Sequence, residues 1–434
     1  MDCAQFKKKQ LGMAALSVTM TILAVITIIT LFSARIIVTD AKVYQNQQGA
    51  AYAMNAAQAG VDYAIGYLNL NSTARNTIYT GLGSCASASN TYALAQGNLA
   101  NANYNVTYGC IGIGSAAILR IQSIGRSSDN SARRTITVNV MRYFSGTSNV
   151  TAPVITASNT FDMNSSAIVR NNGGTVNAIM QSTGNFDMTA GNATYLNNST
   201  TCTILNRQCT SWGTVSNGVA IGGNVGSDIT TNASLNTSTM ETQFLGMPIA
   251  DFRMIADYVV TCTGNGNIDF TSAANSGVCT FSPALTGTLS GLSNRRYVIY
   301  FNLTGTTTPN LRFTTNFTIG STTNPAIIVV NSAASNPDVT VMNGATINGS
   351  IFTNMSAISN NATAAQIRGV LFTTQDINTT GNNNTVNVLG GTVSGTGGTA
   401  MASSTQISYS QANVNASGGP FLGYGIVSGS WRDF

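Results

Sequence analysis

Hydrophobic and polar positions fall into three textures along the chain. Residues 13–34, MAALSVTMTILAVITIITLFSA, carry no charge and lie between Lys7, Lys8 and Lys9 on one side and Arg35 on the other. At about 1.5 Å per residue this stretch spans roughly 33 Å as a helix, enough for a hydrocarbon core. Its polar members are Ser and Thr, whose hydroxyls can bond back to helix carbonyls. Helical spacing then continues through Ala50, Ala53, Met54, Ala57, Val61, Ala64, Ile65 and Leu68. Gly49, Gly60 and Gly66 each weaken that second half by roughly 1 kcal/mol relative to Ala, so tertiary packing must hold it. One helix over 13–70 is expected, half in a membrane and half against a globular head.

The second texture, over 71–146, is strand-like. Residues 116–126 and 134–140 (RTITVNV) read as strands, the latter with clean period-two alternation. Residues 145–148, Ser-Gly-Thr-Ser, mark a boundary. The third texture fills 147–434 with short apolar runs separated by Asn, Gly and Thr. Asn159-Thr160-Phe161-Asp162-Met163 recurs as Gly184-Asn185-Phe186-Asp187-Met188, and runs beginning at Ala326, Gly349, Gly369 and Gly391 recur at roughly 20 residues. That period predicts coils of a parallel β-helix or solenoid with Asn and Thr ladders at the corners. A β-sandwich or jelly roll is the rival. Residues 248–259 place Ile249, Phe252, Ile255, Ala256 and Val259 on one face after Pro248. They predict a single helix capping or plugging an end of the solenoid.

Composition sharpens the picture. Only 8% of residues are charged and none is His, which removes Ser-His-Asp and Cys-His catalysis and most zinc sites. The net charge of +5 owes much to the lysine run, and nothing basic enough remains to suggest nucleic acid. Of the carboxylates, Asp162 and Asp187 would stack one coil apart and could hold a cation such as calcium, or simply be solvated. Asp251 and Asp257 lie six residues apart, which does not put them on one helix face. Gly112-Ile113-Gly114-Ser115-Ala116-Ala117 lacks the strand-then-helix setting of a dinucleotide loop and reads as a turn. The Arg133-Arg134 and Arg295-Arg296 doublets read as solvated faces, and Trp431 as a terminal anchor. Polysaccharide-cleaving enzymes also use β-helices, but no carboxylate and basic cluster stands out, and fold analogy supplies no activity. No enzyme, cofactor or metal site is expected.

The leader Lys9-Gln10-Leu11-Gly12, then Met13 and an uncharged helix, resembles a class III signal. It is similar to type IV prepilins, and most closely to the PilX-type minor pilins, whose helix runs on into an alanine-rich stretch, here Ala53-Met54-Asn55-Ala56-Ala57-Gln58-Ala59-Gly60. The resemblance implies cleavage by a prepilin peptidase between Gly12 and Met13 with methylation of the new amine. A secretory signal peptide is the alternative, though its apolar core is shorter. Most pilins carry glutamate at the fifth mature position. Ser17 stands there instead, which favours an accessory or tip role. The implied partners are other pilins and minor pilins, the peptidase, the inner-membrane assembly machinery and the membrane. A pilus-borne adhesin binding a glycan or surface receptor is the alternative. The implied location is the inner membrane, then the extracellular pilus or cell surface.

Of seven cysteines, Cys3 lies in the implied leader. The other six allow fifteen connectivities, and their grouping favours Cys85 with Cys110, Cys202 with Cys209, and Cys262 with Cys279. A thiolate metal site is the rival, without C-x-x-C spacing to support it. Disulfides imply an oxidising compartment. The expectation is thus an α+β protein. It has a leader at 1–12, a pilin-like helix at 13–70 (transmembrane at 13–34), a β head at 71–146 and a solenoid-like domain at 147–434.

Overall fold

The computed structural model describes residues 3–434 apart from 113–117, 151–153, 164–167, 172–179, 188–193, 204–228, 231–234, 271–277, 359–364, 380–385, 396–398 and 402–404, and the short loop positions 95, 158–159, 183–184, 198–199, 286, 306–307, 315–316, 335–336, 343 and 417. For 3–12 and most of 160–203 it describes the backbone alone. A single stem helix runs Cys3–Leu70. Residues 13–48 are exposed, whereas Ala53, Ala56, Ala57, Val61, Ala64 and Leu68 are buried against the head.

Small residues let helix and sheet meet at backbone distance. A Cβ on Gly125, in the head strand Ile118–Ser127, would lie 2.0 Å from the Ala53 carbonyl and 2.4 Å from the Ala57 nitrogen. On the helix side, a Cβ on Gly60 would lie 2.2 Å from Ser123 Oγ. The alanine-rich stretch therefore has a packing reason, and Gly60 costs helix propensity that this contact offsets, whereas Gly66 meets nothing within 4 Å. Next comes the short helix Ser72–Gly81, capped by Asn71, whose Oδ1 accepts from the Ala74 amide at 2.8 Å.

Among the described residues the head sheet is antiparallel and has seven strands. Its main order is Thr91–Ala93, Ala102–Cys110, Ile118–Ser127, Arg133–Phe144 and Phe421–Ile426. Gly97–Leu99 and Arg432–Asp433 pair beside it. The head therefore draws strands from both sides of the solenoid. Residues 421–434 return to it, although the texture of the sequence groups them with the coils.

Among the described residues the solenoid has three sheets of ten, eight and eight strands, built almost wholly of parallel pairs. Parallel stacking sets aside the sandwich reading. The repeated runs are successive rungs of one face: Ala326–Ser332, Gly349–Thr353, Val370–Thr373 and Gly391–Ser394. Asp187 lies in register with Asp162 and Phe186 with Phe161, as the repeat implies.

The winding is not sequential. The first rungs in chain order are Val154–Thr156, Met180–Ser182 beside it and, among the described residues, Ile229–Thr230 beside that. The chain then goes to the far end, at Tyr258–Cys262, and winds back until Gly391–Ser394 docks on Val154–Thr156.

The central rungs of the ten-stranded face, such as Ala326–Ser332, Gly349–Thr353 and Val370–Thr373, are buried on both sides. Ile328 and Val330 point into the solenoid core, and the alternate Ile327 and Val329 join a second core shared with the head. A strand covered on both faces reads as a continuous apolar run, as Ala326-Ile327-Ile328-Val329-Val330 does. The predicted corner ladders exist: Asn354 accepts from the Ser332 amide at 2.9 Å and donates to its carbonyl at 2.8 Å, and Gln375 donates to the Asn354 carbonyl at 2.8 Å.

Residues 248–259 do not form one helix. A 3-10 segment, Ile249–Ile255, gives way to extended Ala256 (φ −69°, ψ 145°) and the strand Tyr258–Cys262. Instead of plugging an end, this segment lies on the outer side of the ten-stranded face. There Phe252 meets Phe352 edge-on with centroids 5.7 Å apart. Its apolar positions are shared between head and solenoid, and both surfaces claim it.

Candidate functional site

The most unusual surface is the stem. Over 13–48 every residue is exposed, including Met13 at 75%, Leu23 at 68% and Phe32 at 63%. This part of the helix is long and apolar enough to cross a membrane, with a mean hydropathy of 2.4 in its best window. The hydroxyls of Ser17, Thr19, Thr21, Thr27, Thr30 and Thr39 are satisfied internally. Thr21 donates to the Ser17 carbonyl at 2.7 Å, Thr27 to Leu23 at 2.7 Å and Thr30 to Ile26 at 3.0 Å. Ser17 donates to the Ala14 carbonyl at 2.9 Å. The helix thus offers lipid or neighbouring helices a surface without free hydroxyl donors at these positions, which an apolar medium requires. Backbone helix continues through Gly12 and Met13, and the side chain of Gly12's neighbour Leu11 lies outside the described residues.

Among the described residues, two disulfides are formed. Cys85–Cys110 ties the turn after the short helix to the end of the strand Ala102–Cys110. Cys262–Cys279 joins paired antiparallel strands at one end of the solenoid. The side chain of Cys202, and all of Cys209, lie outside the described residues. So do the side chains of Asp162 and Asp187, for which only the backbone register is described.

Asp251 and Asp257 are not brought together as a site. Asp257, with its side chain 2% exposed, ion-pairs with Arg142 of the head sheet and with Arg295 Nη1 at 2.9 Å, and it also accepts from the Val298 amide at 2.8 Å. Arg142 in turn donates to the Ile255 carbonyl. Arg295 stacks over Tyr297 at 4.4 Å, and Arg296 donates to the Ala416 carbonyl at 2.6 Å. Both arginines of the doublet therefore have structural partners, while Arg295 keeps its side chain 51% exposed to solvent. Trp431 is 42% exposed.

Three residues of this junction escape a reading of the sequence alone. Arg142 follows Ile136, Val138 and Val140 on the inward face of its strand, so a charge at an inward position was the available signal. Arg75 lies buried 5.2 Å from the Phe421 ring centroid and donates to the Leu68 carbonyl at 3.2 Å, and burial pulls its pKa below the ordinary value. Asn69 caps a strand edge, a role that no local pattern announces. Among the described residues, no group of three or more His, Cys, Asp or Glu could hold a metal ion.

No protein-family model matches the chain, and no curated protein matches it. Among solved structures it is similar to the competence-associated pilin ComZ from Thermus thermophilus, at 11% identity over 89% of this chain and 97% of that one, with a TM-score of 0.25. At that score the likeness carries no argument about function.

Proposed function

We propose that this protein is a non-enzymatic, minor-pilin-like subunit of the PilX type. In this reading it enters a type IV pilus or pseudopilus through its stem and acts in initiation or tip capping while displaying a large solenoid. The observation that carries the reading is the division of one helix. Residues 13–48 are uncharged through their first 22 positions and wholly exposed, while the remainder buries a Gly/Ala face on an antiparallel sheet. Such a stem is stable in lipid before assembly and can exchange lipid for neighbouring apolar helices afterwards.

The leader resemblance adds prepilin peptidase cleavage between Gly12 and Met13 and methylation of Met13. Ser17 places no charge at the fifth mature position, so no buried carboxylate there needs a partner in the filament core. The bulky head and solenoid above the stem would obstruct addition of further subunits, which suits a tip. The partners are other pilins, the peptidase and the inner-membrane assembly machinery. The protein would reside in the inner membrane and then at the cell exterior.

The test is the mature N-terminus, measured by mass spectrometry in cells with and without a functional prepilin peptidase. A peptidase-dependent methylated start at Met13 is expected. A start at Met1 in both strains would overturn the reading, and so would a start beyond Ala34.

A further inference from the structure

Strand Arg133–Phe144 has Ile118–Ser127 on one side and, among the described residues, only the segment 421–434 on the other. Within that segment Gly423 pairs with Tyr143, Tyr424 with Arg142 and Ile426 with Val140. The Val427 amide donates to the Asn139 carbonyl at 2.8 Å, and Phe434 exchanges two 2.9 Å backbone bonds with Thr135. Its outer edge is closed by a side chain. The Asn69 amide donates to the Tyr424 carbonyl at 2.9 Å and accepts from the Tyr424 amide at 2.7 Å, standing where a neighbouring strand would stand. Phe421 and Tyr424 are buried, with Phe421 5.8 Å from Phe144.

Joining residue 144 directly to 421 would close a very long loop, and the entropic cost of closure rises with loop length. The solenoid removes most of that loop. Its coil at 391–409 docks on the coil at 154–171 through three parallel pairs, Thr392 on Val154, Thr399 on Phe161 and Gln406 on Ile168. Once that contact exists, the two crossings of the neck lie side by side. The Ser148 amide donates to Asn415 Oδ1 at 3.0 Å, the Ser145 amide to the Pro420 carbonyl at 2.8 Å and the Gly419 amide to the Ser145 carbonyl at 3.1 Å.

We propose that residues 421–434 are a latch that completes the head only after the solenoid has closed on itself. The solenoid is then the clamp that delivers the latch, beyond whatever its surface displays. One consequence rests on the filament reading: a subunit with an unclosed solenoid presents an unfinished head with an open strand edge, and so is held back from assembly.

The test is hydrogen exchange by mass spectrometry on the full chain in detergent micelles. Gly423 has φ +133°, and a Cβ there would lie 2.4 Å from Asn69 Oδ1, so Gly423→Val prevents docking of the latch. It should lower protection of Arg133–Phe144 at least tenfold and leave Val298–Leu303 and Ala326–Ser332 unchanged. Thr392, fully buried between the docking coils, is the reciprocal site. Thr392→Asp should unprotect both the coil junction and the latched strand. Loss of solenoid protection in Gly423→Val, or a fully protected head in Thr392→Asp, would overturn the proposal. Should either variant fail to fold, pulsed exchange during refolding of the unaltered chain decides the order: solenoid strands are expected to gain protection first, and a head protected first overturns the latch. None of these readouts depends on leader processing, so failure here is distinct from failure of the pilin reading.

Discussion

Head and solenoid solve the same problem, covering the face of a sheet, in opposite ways. The head lays one antiparallel sheet on one helix, and the contact is so close that backbone meets backbone at Gly125 and Ala53. The solenoid stacks rungs, so most of its register is set between neighbours about one coil apart, as Ile351 with Leu371 and Leu371 with Thr392. Head stability therefore depends on residues far apart in the chain, and solenoid stability mostly on nearest neighbours. They meet where the ten-stranded face turns Val298, Tyr300, Ile327 and Phe352 toward the head. An ion pair buried in that shared region is the costliest point to disturb.

Breaking that ion pair should have the largest effect. Asp257→Ala leaves Arg142 buried without its carboxylate and should cost about 3–5 kcal/mol, read by chemical denaturation. Arg142→Met combined with Asp257→Leu should cost clearly less, because the one cation that loses its carboxylate, Arg295, is half exposed and no buried charge is left orphaned. Equal losses in both variants would show that the pair fastens the two regions by its charge rather than merely being tolerated there.

A matched pair of alanine substitutions sharpens the contrast. A Cβ on Gly125 would lie 2.0 Å from the Ala53 carbonyl, and one on Gly369 would lie 2.3 Å from the Gly349 carbonyl. Each substitution should cost about 1–3 kcal/mol by overpacking. Gly125→Ala should lower exchange protection across the whole head, and Gly369→Ala only in the coils adjoining it. A solenoid that loosens throughout would refute nearest-neighbour behaviour.

The smallest effect concerns alkaline pH. Burial pushes the Tyr300 pKa up to about 12, from an ordinary value of 10.0. Because the folded value is the higher one, this contribution is fully present below pH 10 and is lost as pH rises through 12. Tyr300→Phe should flatten that decline by of order 1–2 kcal/mol, measured by denaturation across the same window. Tyr409, also pushed up to about 12 by burial, sits on the solenoid and should behave alike.

Much of the architecture was legible because it is periodic. The uncharged stretch at 13–34, the three-and-four spacing through Leu68, the alternation at 134–140 and the rungs near Ala326, Gly349, Gly369 and Gly391 each carry a period tied to one backbone geometry. The pairings of Cys85 with Cys110 and of Cys262 with Cys279 join neighbours along the chain. The stem surface, the centre of the proposed function, belongs to this legible class, since an isolated apolar helix needs no tertiary partner to be recognised.

What only the tertiary structure decided is long-range. Residues 248–259 carry a helical pattern, yet head and solenoid both draw on their apolar side chains, and the chain is pulled into a 3-10 segment followed by a strand. Residues 421–434 show no period that assigns them to the head. Their place follows from the docking of one coil on another more than two hundred residues away in sequence. Asn69, Arg75, Arg142 and Asp257 are single polar residues whose meaning depends on which distant backbone or charge each one meets. Local periodicity is written into the chain by the repeat of its own geometry, whereas a meeting between remote segments has no such repeat and exists only once the chain has closed.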